Sequence, residues 1–208
     1  NLMLNDKEYF ETRGFSVMVF ENEYNGFFFD EKTAGILMVH HGVRNVTGGA
    51  VRVNPTPEQW DQIPVLVERK VNREDNSIDV LLRYEDFDFD SWLNVKPDGN
   101  SIIISVKLDK ALPEKLEGRA GLNIEFLPAS YFGKTYFVDG KTGIFPLHPS
   151  DSMSVLLKKD QLRQFAGHST ANDRGRGEFV EPKAFARGKT LHLSPEDPET
   201  SMRIETLG

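Results

Sequence analysis

Apolar and polar residues alternate with a period of two at several places along the chain, the spacing of half-buried strands. Residues 15–20 read FSVMVF, with Phe15, Val17 and Val19 on one face. Residues 36–41 make a second run, closed by Gly42 and by the turn-forming residues 45–49, with a short strand at 50–53. Further on, Ile78, Val80, Leu82 and Tyr84 share a face opposite Asp79, Arg83 and Glu85. With 65–72 this arm predicts a hairpin through Arg73-Glu74-Asp75-Asn76. Asp98-Gly99-Asn100 turns the chain into 101–109, where Ile102, Ile104, Val106 and Leu108 alternate with Ser101, Ser105 and Lys107.

Residues 121–146 form the densest aromatic stretch. Leu122, Ile124 and Phe126 alternate with Asn123 and Glu125, and Pro128 ends that strand because it has no N–H for a ladder. Apolar arms at 136–138 and 144–145 then flank Asp139-Gly140, a dipeptide that supplies the positive φ angles of a tight hairpin. A last hairpin sets Leu191 and Leu193 against Met202 and Ile204, around Ser194-Pro195-Glu196-Asp197-Pro198.

The stretches between are less regular. Residues 26–30 fit an edge strand or a loop packed on the core. Pro55, Pro57 and Pro64 forbid regular pairing around Trp60, which is expected to plug that loop into the core. Residues 153–165 fit a strand or a short helix, and 168–177 are polar and Gly-rich. Strands thus recur every ten to fifteen residues, turn signals lie between them, and no 3.6-residue period interrupts. The pattern predicts an all-β antiparallel sandwich. No linker divides the chain, so residues 1–208 are expected to form one domain.

Composition narrows the chemistry. The net charge is −7, which with no basic stripe argues against a nucleic-acid partner. There is no cysteine, which excludes disulfides, thiolate catalysis and cysteine-based zinc sites. No apolar run approaches the ~20 residues that span a bilayer. The chain starts at Asn1 without a signal-like segment, so it is expected to have been processed or trimmed, and to continue past Gly208.

Gly-Lys-Thr occurs at Gly133, Gly140 and Gly188, but the glycine that a phosphate loop needs five positions earlier is Pro128, Thr135 and Lys183 in turn. All three are read as turns. Asp86, Asp88 and Asp90 alternate with Phe87 and Phe89, so on a strand three carboxylates would share a face. Ser91 and Pro97 stand where a helix-loop-helix calcium loop needs Gly and Glu. A hard cation held by these aspartates is the alternative to a solvated face, and no metal is assigned. His40 and His41, as strand neighbours, are expected on opposite faces and unable to chelate one ion. Asn45-Val46-Thr47 has the form of a glycosylation acceptor. Trp92, Tyr131 and Tyr136 are the candidate ring-stacking residues, although aromatics in an all-β domain are more often core.

The run 121–146, GLNIEFLPASYFGKTYFVDGKTGIFP, with GKTLHLSPEDPETSMRIET at 188–206, resembles the N-terminal β-sandwich region of bacterial glycoside hydrolase family nine proteins. The opening LNDKEYFETRGFSVMVF and the PTPEQW segment are similar too. The resemblance implies a non-catalytic accessory domain without cofactor, in the periplasm or at the cell surface. Its partner would be a C-terminal catalytic domain of the same polypeptide, and it would contact an oligo- or polysaccharide. In that family the catalytic acid and base lie in a separate helical barrel, so no catalytic residue carries over. Two alternatives stand beside this reading. One is a free-standing carbohydrate-binding module centred on Trp92, although weak or no glucan binding is expected of the isolated domain. The other is a large sandwich similar to galactose mutarotase-like enzymes, with Glu125 as base and His40, His41 or His148 as acid.

Overall fold

The computed structural model describes residues 1–20, 35–53, 64–147 and 186–207, together with the backbone of 164–165 and 168–169. Among these the regular structure is antiparallel β, with three short 3-10 turns and no α-helix. The chain divides into two compact units, Asn1–Asn54 with Gln62–Leu127, and Pro55–Asp61 with Pro128–Gly208.

The first unit holds two sheets. Strands β1 (Met3–Leu4), β2 (Phe10–Thr12), β3 (Phe15–Val19), β4 (Ile36–His40) and β5 (Val43–Val53) form a meander, and β10 (Ala120–Phe126) adds to the free edge of β5. Strands β6 (Val65–Asn72), β7 (Ser77–Tyr84), β8 (Phe89–Asp98) and β9 (Ser101–Lys107) form the second sheet. The predicted hairpins of this sheet appear with the predicted turns. Alternation buries Ile78, Val80, Leu82, Tyr84, Phe89, Leu93 and Val95 on one face. Phe10, Val17, Val19, Ile36, Val46, Val51 and Val53 are buried on the other sheet. Each such side chain contributes about 1.5–3 kcal/mol on leaving water.

Polar contacts join the two sheets. The Tyr84 hydroxyl donates to the Val51 carbonyl. Arg69 occupies an inward position opposite Val80. Its guanidinium donates to the Val19 carbonyl at 2.9 Å and to the Glu8 carbonyl and carboxylate, each at 2.8 Å. The Leu4 N–H donates to the Asn76 side chain at 2.9 Å.

Residues 45–49 are not a turn. The chain has already turned at His41-Gly42, where φ is +47° and +81°, and β5 then stays extended for 11 residues. The extra residues are absorbed as register shifts against β4 and β10. Gly49 permits the close approach, since a Cβ there would lie 3.0 Å from Ile36 Cβ. Asn45, inside this strand, is 0% exposed, so the folded chain offers no glycosylation acceptor there. The histidine geometry also differs from expectation. His41 leaves the strand at φ +47°, which brings its ring to 4.4 Å from that of His40, not to the opposite face.

In the second unit the order is β12–β11–β15–β16, with β11 Thr135–Val138, β12 Lys141–Ile144, β15 Thr190–Leu193 and β16 Met202–Glu205. Asp139-Gly140 makes the predicted tight turn, with φ of +48° and +79°. A two-residue pair, β13 (Gln164–Phe165) with β14 (His168–Ser169), lies within the stretches read as 153–165 and 168–177. The rest of those stretches and all of their side chains, residues 26–30, Trp60 and His148 lie outside the described residues.

Burial pushes the Tyr131 hydroxyl up from 10.0 to about 12 and raises that of Tyr84 as well. The unfolded chain ionises both near pH 10, and the folded chain does not. Stability is therefore unaffected below pH 10 and falls as pH rises from there through the folded values. In an alkaline titration the phenolate absorbance should rise in two steps, the later one coinciding with loss of the β circular dichroism. A single step near pH 10 with the fold intact would contradict this.

Candidate functional site

The outer face of the β6–β9 sheet is where sequence and pattern disagree most. Strand alternation turns Phe89, Ser91, Leu93 and Val95 inward on β8, leaving Asp90, Trp92, Asn94 and Lys96 outward. Trp92 is thus the one aromatic in an outward row of polar residues, and it is half-buried. Register places its neighbours. Across the sheet it lies between Leu81 on β7 and Lys107 on β9, with Glu68 beyond Leu81 on β6. The next row is Lys70, Asp79, Asn94 and Ser105. The row on the other side contains Val65, Arg83 and Asp90.

The polar groups hold one another and fix the indole. Trp92 Nε1–H donates to Asp109 at 3.1 Å, and the Lys70 ammonium lies 5.6 Å from the ring centroid. Lys70 also pairs with Glu68 at 2.9 Å. The Asn94 amide donates to Asp79 at 2.8 Å. Arg83 grips Asp90 through two hydrogen bonds, at 3.0 and 2.9 Å. The hydrogen bond from Arg83, reinforced by its charge, holds the Asp90 carboxyl below the usual carboxylate range. A flat apolar ring surrounded by fixed amide, carboxylate and ammonium groups can stack on the C–H face of a pyranose while its rim exchanges hydrogen bonds with hydroxyls.

Of the other candidates, Asp90 is the one placed on this face, in the row beside Trp92. Glu85–Phe87 is a 3-10 turn and Asp88 has φ +48°, so the aspartates do not alternate along a strand. Asp88 pairs with Lys110 at 2.8 Å, while Asp90 pairs with Arg83. No group of three His, Asp or Glu suited to a metal occurs among the described residues. Glu125 sits on the outer face of edge strand β10, 47% exposed and paired with Arg52 at 3.1 Å. Its register partner is Gly48, whereas that of His40 is Val43, which separates them by about 15 Å along β5. Tyr131 is 4% exposed and donates to the Thr200 carbonyl, so its ring is core. Tyr136 packs at a tilt against Phe145, with ring centroids 4.8 Å apart, and lies across Gly143, its partner on β12.

Two of the Gly-Lys-Thr segments spend their amides on the protein's own carboxylates. The N–H groups of Lys189 and Thr190 donate to Asp139 at 3.0 and 2.9 Å, and that of Thr135 donates to Glu196 at 2.7 Å. The third, Gly140 onward, completes the tight turn and enters β12.

The sequence pattern points to Trp92; its neighbours Lys70, Lys107 and Asp109, and the flanking pair Asp79 and Asn94, emerge only from the strand register. No helix among the described residues is long and apolar enough to cross a membrane. No protein-family model matches the chain, and no curated protein or solved structure matches it.

Proposed function

We propose that this chain is a non-catalytic accessory module of a polysaccharide-degrading protein, contacting glycan through Trp92 beside a catalytic domain of the same polypeptide, in the periplasm or at the cell surface. The observation that carries the reading is the half-buried indole on the outer sheet face, flanked by Leu81 on one side and by Lys107, Lys70 and Asp109 around its rim. The resemblance of 121–146 and 188–206 to the accessory sandwich of glycoside hydrolase family nine points the same way. Val65, Leu66 and Val67, three consecutive exposed apolar residues on edge strand β6, offer a surface for a neighbouring domain. Against a mutarotase-like role stand the ion pair of Glu125 with Arg52 and its separation from His40 and His41.

One indole and a few solvent-exposed hydrogen bonds yield roughly 3–4 kcal/mol, which is millimolar affinity. Such a module is useful when tethered, because the linked domain sees the glycan at an effective concentration of about millimolar or more. Calorimetry with cello- and xylo-oligosaccharides should therefore show binding near millimolar that Trp92→Ala abolishes. The chain should not hydrolyse these sugars or accelerate glucose or galactose anomerisation, and Glu125→Gln should change nothing. Binding that survives Trp92→Ala, or anomerisation lost in Glu125→Gln, would overturn the proposal.

A further inference from the structure

We infer that His40 and His41 form a two-histidine site for a divalent transition metal of the copper(II) or nickel(II) kind. Neighbours on a regular strand point to opposite faces and cannot share an ion. The β4–β5 reversal removes that obstacle. His41 takes φ +47° and Gly42 φ +81°, and the two imidazole rings come together with centroids 4.4 Å apart.

The surroundings hold both rings at the surface. His40 is half-buried and packs edge-on against Phe15, its cross-strand partner, at 5.7 Å. The His41 backbone N–H donates to the Gly14 carbonyl at 2.6 Å. Its ring lies over Gly14, where a Cβ would stand 2.8 Å from Cε1 and 2.9 Å from Nδ1, so only glycine leaves the ring this place. His41 is exposed, and water or a dissolved ion reaches the pair.

The spacing indicates the kind of ion. Two imidazoles bound to one metal through nitrogens at about 2.0–2.1 Å have ring centres about 4.5 Å apart when the bonds meet at a right angle, and about 5 Å apart at a tetrahedral angle. The observed 4.4 Å fits the right angle, which copper(II) and nickel(II) take with nitrogen ligands and zinc does not. Turning the nitrogens toward one ion needs only rotation about χ2, a broad torsion in histidine. Each ring has two nitrogens, so one can bind the metal while the other donates a hydrogen bond that orients it. Two protein ligands leave the remaining positions to water.

The test is calorimetric titration of the intact chain with copper(II) and, separately, with nickel(II). Electron paramagnetic resonance of the copper complex counts the coordinated imidazoles. His40→Phe keeps a ring against Phe15 without a nitrogen, and His41→Asn keeps a residue that tolerates positive φ. One ion should bind at the pair, copper more tightly than nickel. Each variant should weaken binding by about a hundredfold, because the second imidazole no longer acts within the same molecule. The copper spectrum should show two imidazoles in the wild type and one in each variant, and His192→Ala should change neither readout. Binding that survives either substitution, a wild-type spectrum with a single imidazole, or no binding would overturn the inference.

Discussion

Replacing Tyr84 with alanine is expected to destabilise the first unit by about 3–5 kcal/mol, the usual cost of deleting a buried aromatic ring. Tyr84 ends β7 on the inward face, its ring packs against Phe89 at a centroid distance of 5.5 Å, and its hydroxyl reaches the Val51 carbonyl of the opposite sheet. Tyr84→Phe separates the two contributions. It keeps the ring and leaves the buried carbonyl without that donor, for a loss of about 1–2 kcal/mol. Urea unfolding of both variants, followed by β circular dichroism and by tryptophan emission, measures the pair. Equal losses in the two variants would show that the hydroxyl, and not the ring, carries the effect.

Arg69→Met should cost about 3 kcal/mol, because it removes a nearly buried guanidinium and strands its acceptors. The side chain is 12% exposed and ties edge strand β6 to two carbonyls and a carboxylate of the facing sheet. Methionine fills much of the same volume, so the loss reports the polar clamp and not a cavity. Arg69→Lys should recover only part of it, since one ammonium cannot reproduce the planar fork. Urea midpoints in the order wild type, Arg69→Lys, Arg69→Met are expected. A neutral Arg69→Met would mean that this guanidinium adds nothing to the joining of the two sheets.

Much of the second sheet was legible in the sequence because its turns are explicit. Arg73-Glu74-Asp75-Asn76 and Gly99-Asn100 fix where β6, β7, β8 and β9 begin and end. Counting back from those turns sets Lys70 against Asp79 and Trp92 against Lys107. The partners of Trp92 follow from register, but only once the β7–β8 connection is known. That connection hid behind Asp86, Asp88 and Asp90, whose alternation mimics a strand while the chain makes a 3-10 turn. The other misreading has a similar cause. Residues 45–49 have turn-forming composition, yet His41-Gly42 had already supplied the two positive φ angles that reverse the chain. Local composition says which residues tolerate a turn, and it does not say where the pairing partner lies. Arg69 was hidden for the same reason, because its inward position is fixed by the register shift between Leu66 and Glu68.

A glycan-contacting role for this chain depends most directly on the indole of Trp92. In a nitrogen–proton correlation spectrum its Nε1–H, which donates to Asp109, gives its own side-chain resonance. Addition of cello- or xylo-oligosaccharide to the intact chain should shift that resonance together with the amides of Asn94 and Lys107, saturating near millimolar sugar. A spectrum in which the Trp92 indole stays fixed while the sugar moves resonances elsewhere, or moves none, would contradict it.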